Sequence, residues 1–156
     1  MRSIGLDSAI AMSEHSKRTW WRRVSANIVG RTCSDRGRTM VVLDHVLPFI
    51  SVQLNDDDID LIVSADAGNA DAQNDLAQLF DELGKREVAL YWWGASADQG
   101  HPDAMHHLGN CFICGSGVCK DENTGIMWIA KAASLGHVVA RGQINSLLRF
   151  ANIGAR

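Results

Sequence analysis

The chain has 156 residues, 46% of them hydrophobic and 21% charged, with a formal net charge of −3. That is enough for one modest domain or a short repeat array with a usable core, and the composition is that of an ordinary globular protein. It excludes a collagen-like chain and a disordered polyelectrolyte. The charge is uneven: residues 1–38 carry +5 and the remainder −8.

Residues 1–39 hold much Ser, Arg, Gly and Thr and no persistent apolar period, so a basic, disordered leader is expected there. Within it KRTWWRR (17–23) has the basic and aromatic character of a segment that lies on nucleic acid or an anionic membrane, led by Lys17, Arg18, Arg22 and Arg23. The plainer reading is a solvated tail, and the case for nucleic acid or membrane is weak. The abrupt change of composition at Met40 makes that residue a second candidate for the first of the chain. The first thirty residues contain no secretory apolar run, which points to the cytoplasm and to reduced thiols.

Residues 40–54, MVVLDHVLPFISVQL, form an apolar connecting segment too short and too interrupted to span a bilayer. Asn55 followed by Asp56, Asp57 and Asp58 predicts a helix start, with a capping side chain and anionic residues in the first turn. Ile59, Ile62 and Val63 continue at helical spacing and Gly68 ends the helix.

From there the chain repeats itself. SADAGNADA (64–72) recurs as SADQGHPDA (96–104) and more loosely as AASLGHVVA (132–140), with glycines at 68, 100 and 136. Trp92 and Trp128 each precede such a glycine by eight residues. Periods of 32 and 36 residues suit a helix–turn–helix unit that stacks on its neighbour. Ala104, Leu108 and Phe112 share one face of a first helix, Trp128, Ala132 and Ala133 mark the buried face of a second, and Gly115 and Gly117 provide the turn between them. A buried Trp128 would cost about 3–5 kcal/mol to replace by Ala.

Leu108-Gly109-x-x-Phe112-x-x-Gly115-x-Gly117-Val118-x-x-Asp121, continuing to Trp128-x-x-Lys131-Ala132-Ala133-x-x-Gly136-x-x-x-Ala140, resembles a full Sel1-like repeat, a relative of the tetratricopeptide repeat. The unit before it matches at Ala72, Leu76, Phe80, Gly84, Ala89, Trp92, Ala97 and Gly100, with a loop four residues shorter. A third unit begins at Ala140 with Ile144 and Leu148. The resemblance implies an all-α fold, a short α/α solenoid over residues 55–156 with two full repeats and a half at each end. It implies a protein–protein interaction or adaptor module, not an enzyme, and no cofactor.

Through the same resemblance, the partner would lie on the concave face of first helices. The residues there are Asn74, Gln78 and Asp81, then Asp103, His106, Asn110 and Ile113, then Ser146 and Arg149. With Asp71, Asp81 and Asp103 nearby and no cluster of cations, the expected partner is a basic or neutral protein or peptide. The basic leader is one such ligand, in the same molecule or a neighbouring one, and so few repeats leave room for a homodimer through an exposed end.

Cys111, Cys114 and Cys119 fall on variable positions of the repeat. Secreted relatives place disulfides at positions matching Ala133 and Ala140, and that framework is absent here. With His107, the three cysteines compose a Cys3His set suited to zinc, the basis of an alternative reading as a zinc- or thiol-based sensor. The default is that they pack as small apolar residues. Asp103, His106 and Cys114 also make a nominal nucleophile set, one that any helix rich in His and Cys offers by chance.

Overall fold

The computed structural model describes residues 2–33 and 37–153. Residues 1 and 34–36 of the expected leader and 154–156 of the expected solenoid lie outside the described residues. The chain divides into two compact units, Met1–Ala72 and Gln73–Arg156.

The first unit contradicts the expectation of a disordered leader. Its elements are β1 (Ser3–Gly5), α1 (Leu6–Met12), α2 (Lys17–Ser25), β2 (Arg31–Cys33), β3 (Thr39–Val42), α3 (Leu43–Val46) with a 3-10 turn over Leu47–Phe49, and α4 (Asp56–Asp66). The strands form an antiparallel sheet in the order β1-β3-β2, pairing Ile4 with Val41 and Thr32 with Met40. The helical solenoid is therefore accompanied by a small sheet. Met40 sits in its central strand, so a chain starting there would lack both flanking strands.

KRTWWRR becomes α2 because Trp20 and Val24, four residues apart, put one apolar stripe inward; both are buried. The Trp20 indole N–H donates to Ser13 Oγ at 2.6 Å and its ring meets Phe49 edge-on. Arg23 stands 3.9 Å over the Phe49 ring, while Lys17, Arg18 and Arg22 remain exposed. The periodicity was hidden because only two apolar residues of the stripe fall within so short a helix. The supposed connector 40–54 supplies Val41, Val42, Leu43, Val46 and Ile50 to the core of this unit.

The basic leader and the acidic start of the solenoid meet inside the same unit. Arg2 pairs with Asp60 at 2.9 Å. The carboxylate of Asp66, almost fully buried, accepts from the Gly5 backbone N–H, the Ser8 hydroxyl and Arg38. A leader built in this way is not a loose ligand for a groove. At α4, Asn55 and Asp58 form a reciprocal capping box, as the Asn-Asp-Asp-Asp run predicts.

In the second unit α5 (Ala70–Glu82, beginning just before the division), α6 (Arg86–Asp98), α7 (Pro102–Cys114), α8 (Glu122–Ser134) and α9 (Val138–Ile153) follow one another, each of α6 to α9 packed on its predecessor or successor. Every repeat opens in the same way. Gly68, Gly100 and Gly136 adopt positive φ (100°, 91° and 95°), and the next residue caps the new helix. Asn69 Oδ1 accepts from Ala72 N–H, His101 Nδ1 from Ala104 N–H and His137 Nδ1 from Ala140 N–H. The imidazoles thus replace the usual Asn or Ser.

The core of this unit includes Leu76, Phe80, Ala89, Trp92, Trp93, Ala97, Ala104, Leu108, Ile129 and Ala132. Trp128 corrects its expectation. It is only partly covered, and Lys131 Nζ stands 4.6 Å from its ring. The tryptophans that fill the core are Trp92 and Trp93, each 2% exposed. Between α7 and α8 the backbones come close at Gly109 and Gly125, which accounts for the small residue in the Leu-Gly pair.

Candidate functional site

Helix α7 carries its polar residues toward α9 on one side and toward α5 and α6 on the other. On the first side His137 at the start of α9 uses Nδ1 as the cap acceptor, and its Nε2 stands 3.3 Å from an Asp103 carboxylate oxygen. The His137 and His106 rings stack with centroids 4.4 Å apart. His106 Nε2 lies 3.1 Å from both Gln143 Oε1 and Asn110 Nδ2, and Gln143 Nε2 donates back to Asn110 Oδ1 at 3.4 Å. Asp103, His106, Asn110, His137 and Gln143 are thereby one connected polar network bridging two first helices.

On the second side lies a cleft of about 250 Å³ between α5, α6 and α7. His107 stacks flat on Trp93 at 4.9 Å and forms part of its wall. Arg86 stands 2.5 Å from Asp81 as an ion pair, without the alignment of a hydrogen bond, and lines the cleft together with the Cys111 thiol. Burial pushes that thiol above its ordinary range, which Arg86 partly offsets, so Cys111 is held as an unreactive thiol. A second cleft, about 430 Å³, lies one repeat further on and is lined by Ile113, Ile129, Gln143, Ser146, Leu147 and Phe150.

Of the residues expected on the partner face, Asp81 and Asn110 line the first cleft, Ile113 and Ser146 the second, and Asp103, His106 and Asn110 join the network. Gln78 is partly covered and Arg149 exposed. Asn74 differs: it is 3% exposed, a core residue whose Oδ1 has no partner, because the helix turns that position inward. His137, Gln143, Trp93 and Arg86 escaped the sequence reading. Superposing the third unit on the second would have found Gln143, which stands one repeat after His107.

The alternative metal set does not assemble. Cys111 is buried, Cys114 and Cys119 are exposed, all three thiols are free, and His107 is occupied with Trp93. Among the described residues no three His, Cys, Asp or Glu side chains stand together as metal ligands. Nor does the nominal nucleophile set: Asp103 faces His137, His106 faces Gln143 and Asn110, and Cys114 lines the other cleft.

The histidines make this site acid-sensitive. Burial, then the charges of His137 and His107, lower the His106 pKa, against the Gln143 hydrogen bond and Asp103. Burial also lowers that of His107, against Asp103 and Asp81, with His137 and Arg86 adding to the shift. The unfolded chain therefore binds these protons more readily, at about pH 6.5. Their contribution to stability is complete above that pH and is lost as pH falls below it. Melting should occur at lower temperature at pH 5.5 than at pH 7.5. In a His106→Gln, His107→Gln double variant the difference should shrink, and an unchanged difference would assign it to other groups.

The sequence matches the Sel1 repeat family over residues 70–101 and 102–137, the α5–α6 and α7–α8 hairpins. Among solved structures, a Sel1 repeat protein from Oxalobacter formigenes is 35% identical, with a TM-score of 0.50 over 54% of this chain and 66% of that one. A protective antigen of uropathogenic Escherichia coli, c5321, which displays an SLR fold, is 23% identical, with a TM-score of 0.55 over 83% of this chain. This chain covers just under two thirds of the first protein and 28% of the second. Curated proteins give no match.

Proposed function

Because this chain is a Sel1-like repeat protein, we propose that it is an adaptor that binds a partner peptide or protein along the face made by α5, α7 and α9. The Sel1 repeat fold is in general a scaffold for protein–protein interaction, and its members are typically not enzymes. The observation that carries the proposal is the pair of open clefts on that face, into which Asp81, Asn110, Ile113 and Ser146 look from successive repeats. Amides at Asn110 and Gln143 offer a donor and an acceptor each to a partner's backbone. The first cleft balances Asp81 against Arg86, which suits a neutral ligand. A reducing compartment such as the cytoplasm belongs to the same reading, supported by three unpaired thiols. Among the described residues no helix is long and apolar enough to cross a membrane.

The test is selection from a random peptide library on the full chain, followed by titration of the selected peptides against Ile113→Asp and Ser146→Arg variants. Affinity should fall about tenfold or more, the scale of losing one buried anchor. Unchanged affinity in both folded variants would place the ligand on another surface.

A further inference from the structure

The two clefts are one site repeated. Asp81 of the first is succeeded, 32 residues on, by Ile113 of the second. Trp93, His107, Asn110, Cys111 and Cys114 are succeeded, 36 residues on, by Ile129, Gln143, Ser146, Leu147 and Phe150. These offsets are the lengths of the two repeats themselves. The geometry is conserved by the stacking of hairpins, while the chemistry changes between one cleft and the next. The first holds an ion pair, an amide, an imidazole and two thiols; the second is walled mainly by Ile113, Ile129, Leu147 and Phe150.

Resting on the adaptor reading above, we infer that the two clefts together read one extended segment, a side-chain carboxamide (Gln or Asn) in the first and a large apolar side chain in the second. The first cleft's chemistry dictates the carboxamide. A lysine there would meet Asp81 but also Arg86, and a glutamate the reverse, so either charge is opposed by one member of the pair. A carboxamide gives its N–H to Asp81 and its C=O to Arg86 at once, with no net charge to desolvate. The second cleft, at about 430 Å³, holds a Phe or Leu side chain and offers little for a polar one.

The repeat also sets the spacing. The first helices α7 and α9 lie side by side, joined by hydrogen bonds of Gln143 to His106 and Asn110. Helices in contact stand about 8–10 Å apart, and a chain in the polyproline II conformation advances about 3.1 Å per residue with three residues per turn. The two anchors are therefore about three residues apart, with the intervening residues facing other ways. The segment that fits reads Gln-x-x-Phe or its reverse.

Fluorescent peptides carrying Gln-x-x-Phe, in both directions, in a Gly/Ser frame test this on the full chain by anisotropy, up to about 1 mM peptide, where a binding free energy of only about 4 kcal/mol registers. Comparison peptides replace Gln by Lys or Glu, replace Phe by Ser, or separate the anchors by five residues. The carboxamide peptide at the short spacing should bind tightest, and loss of Phe, or Leu147→Asp in the protein, should weaken it about tenfold to a hundredfold. Asp81→Asn leaves Arg86 unopposed and should shift the preference to the Glu peptide; Arg86→Gln should shift it to Lys. These shifts in preference distinguish recognition from a fold defect. Equal binding of Lys or Glu peptides, or indifference to spacing, overturns the inference while leaving the adaptor reading intact. Absence of binding by any of these peptides overturns it as well, and the library selection then decides the broader reading separately.

Discussion

Replacing Trp92 by Ala should lower stability by about 3–5 kcal/mol, the cost of removing a large buried aromatic. The ring is 2% exposed and meets Tyr91 edge-on at 5.1 Å. A domain of this size holds only about 5–15 kcal/mol in total, so the variant should unfold early in urea, followed by circular dichroism because five tryptophans confuse the fluorescence. Trp128, its counterpart one repeat on, should behave differently. Part of its ring faces solvent under Lys131, and Trp128→Ala should cost about 1–2 kcal/mol, the cation–π contact contributing about 0.5–1 of it. Trp92→Phe adds a further check. The Trp92 indole N–H is buried with no partner, so Phe removes an unpaired donor along with some packing and should cost much less than Ala. Equal losses at Trp92 and Trp128 would mean that both rings are equally enclosed, contrary to the structure.

The second large effect belongs to a single methyl group. A Cβ at Gly125 would lie 2.5 Å from Ile113 Cγ1, 2.7 Å from the Gly109 carbonyl oxygen and 3.0 Å from the Ile113 backbone N. One of these is the Cγ1 methylene of a β-branched residue, stiff at χ1 in a helix; the other two belong to the backbone of α7. Gly125→Ala can be accommodated only by moving α8 from α7. Alanine favours an isolated helix over glycine by about 1 kcal/mol, but the displacement should override that gain and leave the variant about 1–3 kcal/mol less stable. Gly94→Ala and Gly142→Ala are the controls. Both sites are helical with no atom within 4 Å of the added Cβ, and both should gain about 0.5–1 kcal/mol. The check is the sign: chemical denaturation should show loss at Gly125 and gain at the other two.

The second unit was largely legible because its signals are local and repeat. Gly100 and Gly136 must adopt positive φ wherever the chain turns into a new hairpin, and the alanines and Gly109 must be small where helices touch. The metal set illustrates the limit. His107, Cys111 and Cys114 share a helix stripe in the sequence, yet His107 stacks on Trp93 of α6, Cys111 is buried and Cys114 is exposed. Asn74 illustrates it again: its type suggests a surface amide, and burial took it out of the candidate site.

By itself the sequence determined the helix starts, the turn glycines, the two-repeat register and hence the family, since each depends on backbone conformation or on spacing along one chain. Only tertiary structure decided that residues 2–33 fold around β3, because a three-stranded sheet draws its pairing from segments far apart and its short strands have too few residues to show a period. It alone decided which of two equivalent tryptophans is enclosed, and which polar residues of adjacent repeats meet. Those outcomes depend on what packs against a side chain, and that neighbour comes from another helix.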